Sequence, residues 1–61
     1  MKNEFKRYLT YSLGSVEETK AWLLFAKDCG YINVDVYQAL YIKCDAIGAM
    51  IFKLATNWKT F

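Results

Sequence analysis

The sequence predicts an all-α protein: an antiparallel hairpin of two long helices, about 3–29 and 34–58, forming half of a four-helix bundle. Three observations carry this reading. In two stretches apolar residues recur at alternating steps of three and four, the mark of a heptad seam. One short Gly-Tyr-Ile-Asn passage separates the two stretches. Hydrophobic residues make up 56% of a 61-residue chain that has no proline, more apolar side chain than so short a chain can hide alone.

The first helix is carried by Phe5, Leu9, Ser12, Val16, Thr19, Leu23 and Ala26. Gly14 followed by Ser15-Val16-Glu17-Glu18 has the form of a helix stop and a new capping box. The phase set by Phe5 and Leu9 nevertheless runs on through Val16 and Leu23 without a slip. A fresh start at Ser15 would have no reason to keep it, so one continuous helix is expected. A kink or a short tight stretch at Gly14 is the alternative. Within a continuous helix, Gly14 would leave room for a neighbouring helix from another chain or from a missing half.

The turn follows. Gly30 suits the left-handed position just past a helix end, and Asn33 is a strong N-cap with Asp35 in the first turn behind it. Ile32 and Tyr37 have the spacing of a hydrophobic staple. So short a turn makes the helices antiparallel neighbours.

The second helix is carried by Tyr37, Leu40, Cys44, Ile47, Ile51, Leu54 and Trp58, with small Gly48 and Ala49 midway. Cys44 reads as a small core residue. Cys29, at the end of the first helix, lies roughly 15 Å from it along the axis, too far for a disulfide, so both are expected as thiols. Tyr8, Leu13, Trp22, Leu24, Phe25, Tyr41, Met50 and Phe52 fall off both seams. Faces that wide suit a four-helix bundle, completed by oligomerisation or by a missing N-terminal half.

Composition restricts function. The net charge of +2 is not the footprint of a dedicated nucleic-acid binder. Lys20, Lys27, Lys43 and Lys53 interrupt every apolar run well short of the ~20 residues a membrane span needs. A cytoplasmic protein with no membrane partner is expected. The chain has no histidine, the usual base near neutrality, and Glu17, Glu18, Asp28, Asp35 and Asp45 read as solvated helix faces. Two cysteines are too few for zinc, and the scattered glycines form no phosphate loop. Neither an enzyme, a cofactor nor a small-molecule substrate is expected.

Charge placement adds one hint. In an antiparallel hairpin the start of helix one and the end of helix two share an end, which carries Lys2, Lys6, Arg7, Lys53 and Lys59 against Glu4. Cations near a helix C-terminus are ordinary, but Lys2, Lys6 and Arg7 oppose the dipole at an N-terminus. Either an anionic partner such as RNA or DNA binds there, with Tyr8, Tyr11 and Trp58 available for stacking, or the helix is cut from something longer.

Three passages resemble a known family: GSVEE at 14–18, AKDCGYI at 26–32 and IGAMIFKL at 47–54. They are similar to the second half of the four-helix-bundle proteins of the 23S rRNA intervening-sequence type. There a small-Arg-Gly-Ser-Leu-Ala-Glu stretch opens the core of the third helix, and a Leu-Gly-Tyr-Ile turn leads into the fourth. Gly14, Ser15, Glu18, Leu23, Ala26, Gly30, Tyr31, Ile32, Tyr37, Leu40, Ile47, Gly48, Met50, Ile51 and Leu54 fall on matching positions. Ser12-Leu13 replaces the small-Arg pair, Thr19, Lys20 and Trp22 also depart, and the family's first two helices are absent. The resemblance implies a bacterial helical bundle that often oligomerises, without established enzyme activity. Relatives accompanying diversity-generating retroelements are thought to bind nucleic acid or a reverse transcriptase.

The expected protein is therefore a single helical-hairpin domain, 1–61, that self-associates as a dimer of hairpins or higher. Its core or interface is Phe5, Leu9, Val16, Leu23, Tyr37, Leu40, Cys44, Ile47, Ile51, Leu54 and Trp58. The alternative is a nucleic-acid-binding accessory protein that uses the basic end.

Overall fold

The computed structural model describes residues 2–57 and the side chains of residues 4–57. Two helices, α1 (Lys2–Asp28) and α2 (Val34–Asn57), lie against each other as a flat, elongated pair with principal extents of 46 × 15 × 10 Å. The side chain of Lys2 and all of Trp58 and Lys59 lie outside the described residues.

α1 is unbroken through Gly14, as the conserved heptad phase requires. A Cβ at Gly14 would meet nothing within 4 Å, so the glycine admits no neighbour from within this chain.

The turn forms by the chemistry its residues offer. Gly30 has φ of 81°, where a side chain would be strained. Tyr31 N–H donates to the Ala26 carbonyl at 2.9 Å and Gly30 N–H to that of Lys27 at 3.0 Å, the paired bonds of a Schellman motif. Three residues later Asn33 Oδ1 accepts from Val36 N–H at 2.8 Å, capping α2. Ile32 and Tyr37, the expected staple, are both half-buried.

The helices pack through a seam that shares alternate positions with the expected one and departs at the rest. Leu9, Val16 and Leu23 of α1 and Tyr37, Cys44 and Ile51 of α2 face the partner helix, buried or half-buried. Between them the contact uses Leu13, Lys20 and Lys27 where Ser12, Thr19 and Ala26 were expected, although Ala26 is also half-buried. On α2 it uses Tyr41, Gly48 and Ala55, while Leu40, Ile47 and Leu54 are 38%, 49% and 43% exposed. Phe5 too is exposed.

The physical reason is a choice of rotation. Apolar residues occupy two adjacent stripes of α2, and small Gly48 and Ala55 let the backbones come closer than leucines would. A Cβ added to Gly48 would stand 3.4 Å from Val16 Cγ1, so the helices are already at van der Waals distance there. The most covered apolar residues, Leu9 at 8% and Ala55 at 7%, still touch solvent.

Candidate functional site

Two features outside the seam could meet a partner: an apolar side and a basic end. The apolar side follows from the rotation just described. At 100° per residue, Val36, Leu40, Ile47, Met50 and Leu54 form a stripe on α2 turned about 90° from the seam. All five are exposed, and Lys43 is the one charge among them. On α1 the stripe at the corresponding rotation runs through Glu4, Tyr8, Ser12, Ser15, Thr19 and Trp22, all exposed, to half-buried Ala26. Because the helices are right-handed and antiparallel, equal rotations away from the seam in the same sense bring both stripes to one side of the hairpin. Its breadth is that of two adjacent helices.

Two of the hydroxyl groups on that side, those of Ser12 and Thr19, are already occupied. Ser12 Oγ donates to the Tyr8 carbonyl at 3.0 Å, and Thr19 Oγ1 to the Ser15 carbonyl at 2.9 Å. Such bonds back to the preceding turn satisfy the donor within the helix, so covering these residues strands no hydroxyl proton. Gly14 lies away from both this side and the seam.

The opposite side of the hairpin is mixed, with exposed Leu24, Val34 and Phe52 among its charged groups and a recess that Phe52 lines together with Glu17, Lys20 and Asp45. Lys20 reaches from α1 to pair with Asp45 of α2, with Glu17 at 3.7 Å and the Tyr41 ring centre at 5.0 Å. Its side chain is only 15% exposed, since the aliphatic stem lies along the seam while the ammonium reaches water. The Asp45 hydrogen bond, reinforced by the charges of Asp45 and Glu17, holds the Lys20 pKa above its ordinary 10.5 against an opposing effect of burial. Lys27 repeats the arrangement nearer the turn, 4.9 Å from the Tyr37 ring centre. Asp45 lies on a solvated helix face as expected, its side chain 60% exposed, and is in addition the ion-pair partner of Lys20. The signal was available, because Lys20 falls on the step after Leu9, Leu13 and Val16, but apolar patterning rejects a lysine.

The open end of the hairpin holds Lys6, Arg7 and Lys53, all exposed. They share the end but not a face: at 100° per residue Arg7 and Lys53 fall on the outer backs of their own helices, and Lys6 lies between the seam and the mixed side. Glu4, Arg7, Tyr8 and Tyr11 line a shallow recess there, with the Tyr8 and Tyr11 rings edge to face at 6.2 Å between centres.

Cys29 is exposed, Cys44 is half-buried, and both are free thiols. Among the described residues no three carboxylate, thiol or imidazole groups gather closely enough to hold a metal ion. Among the same residues no helix is long and apolar enough to cross a membrane.

Comparison with known proteins adds one finding. A family model described as 23S rRNA-intervening sequence protein matches residues 1–53. No curated protein and no solved structure matches the chain.

Proposed function

The chain belongs to the 23S rRNA-intervening sequence protein family, and from that premise we propose that it is a non-enzymatic bacterial helical module, cytoplasmic, that acts by self-association. The observation that carries this reading is the exposed aliphatic stripe of α2, Val36, Leu40, Ile47, Met50 and Leu54, interrupted by Lys43 and flanked on α1 by Tyr8, Trp22 and the small hydroxyl residues between them. A soluble chain rarely leaves so much contiguous apolar surface in water without an interaction to cover it. The hairpin is then half of a four-helix bundle that further helices complete.

Size-exclusion chromatography with light scattering tests it. The expected result at micromolar concentration is a mass of two chains or more, falling to one chain when Ile47 and Met50 are both changed to Asp. A folded single chain from the unaltered sequence would refute the reading.

A second reading is favoured by the open end, where Lys6, Arg7 and Lys53 stand exposed and Arg7 shares a recess with Tyr8 and Tyr11. As a nucleic-acid-binding accessory protein, the chain would hold RNA or DNA by phosphate contacts and base stacking. Binding should then weaken steeply with salt and be lost on changing the three cations to Gln. No binding of single-stranded RNA at low salt would dispose of this alternative.

A further inference from the structure

We propose that two copies of the chain pair through their apolar sides with both turns at the same end, so that α1 of each lies against α2 of the other. This deepens the self-association reading and rests on it. The amount of surface fits: the chain exposes 4959 Å², whereas a compact protein of 7.1 kDa exposes about 4100 Å². The excess, roughly 900 Å², is close to the ~800 Å² that each partner buries in a standard interface.

Two twofold arrangements bring the apolar sides together. An axis along the helices sets α1 against α2 of the other copy, with the turns at one end. An axis across the helices sets α1 on α1 and α2 on α2, with the turns at opposite ends. Both keep facing helices antiparallel, so helix dipoles do not choose between them. Side-chain size does.

The middle of the α1 stripe is small, Ser12, Ser15 and Thr19, and the middle of the α2 stripe is large, Ile47 and Met50. Val16 stands level with Gly48, and Lys27 with Tyr37, so Ile47 and Met50 lie at the height of the hydroxyl stripe. With turns at the same end, the two aliphatic side chains enter the hollow beside Ser12 and Thr19, whose own hydroxyl donors are already satisfied. With turns at opposite ends, hydroxyl stripe meets hydroxyl stripe and Ile47-Met50 meets Ile47-Met50. One contact would then be void and the other crowded, which close-packed helices do not tolerate.

Lys43 agrees. The same register places it level with Trp22, so in the same-end pair its ammonium meets the Trp22 ring of the other copy, a favourable cation–π contact. In the opposite-end pair it would meet the apolar α2 stretch around Leu54.

The exposed thiol of Cys29 allows a direct test. A Cys44→Ala variant carrying a nitroxide on Cys29 should give one short spin–spin distance by pulsed dipolar spectroscopy, roughly 20–25 Å for labels on neighbouring turns at helix spacings of about 10 Å. A distance of roughly 40 Å, the separation along the axis at 1.5 Å per residue, would overturn the arrangement while leaving self-association intact. No dipolar coupling, with a single-chain mass, would overturn self-association itself, and a mass above two chains would overturn the pair. As a second check, Ser12→Leu should weaken association at least tenfold in the same-end pair by filling the hollow that receives Met50. Strengthened association would favour the opposite-end pair.

Discussion

Val16 and Gly48 face each other across the two helices: a single carbon added to the glycine would stand 3.4 Å from Val16 Cγ1. That distance is ordinary contact, so the site has room for one methyl group and no more. Gly48→Ala should therefore raise stability by up to ~1 kcal/mol, the helix-propensity difference. Gly48→Leu should lower it by about 1–3 kcal/mol through overpacking. Urea denaturation followed by circular dichroism measures both, and a destabilising alanine would show that the helices stand closer than described.

Lys20 makes stability sensitive to alkali. Its pKa in the folded chain is raised above 10.5 by the Asp45 hydrogen bond. A raised folded pKa contributes stability that is complete below the unfolded value and is lost as pH climbs through the folded value. Helicity should thus become easier to melt above pH 10.5, and Lys20→Met should flatten that dependence. An unchanged slope in the variant would assign the alkaline loss to other groups.

The turn offers a pair of contrasting substitutions. Asn33→Ala removes the oxygen that caps Val36 N–H and should cost about 1 kcal/mol. Gly30→Ala forces a side chain into φ of 81° and should cost about 1–2 kcal/mol. Thermal melts of the two variants at one protein concentration give the comparison.

The two thiols should react at different rates. Cys29 is exposed and Cys44 half-buried between the helices, so a thiol reagent should modify Cys29 first, with Cys44 following as the hairpin opens. Mass spectrometry of cleaved fragments would locate each adduct, and equal rates would mean that the seam around Cys44 is loose.

Helices, turn and caps were legible because each rests on local chemistry: heptad phase across Gly14, the left-handed Gly30, the Asn33 oxygen. The rotation of the helices was not. A heptad with apolar residues on two adjacent stripes fits either stripe to the neighbour, and hydrophobicity alone prefers Leu40, Ile47 and Leu54 over Tyr41, Gly48 and Ala55. Closeness of approach decided for the smaller set, and the larger set became the apolar side. Lys20 was missed for a related reason, since its stem behaves as an apolar seam residue and its charge conceals that. The basic cluster was legible as an end, but only three-dimensional placement showed that Arg7 and Lys53 turn away from each other.

The turn has a kinetic consequence. Contacts nearest it, such as Lys27 with Tyr37, join residues close in sequence, and those toward the open end join residues progressively farther apart. Loop-closure entropy rises along the same direction, so the hairpin should zip from the turn outward and fray from the open end inward. Amide hydrogens around Ala26 and Tyr41 should exchange slowest and those around Arg7 and Lys53 fastest, a gradient along the long axis that a second copy, docked along the apolar side, would level.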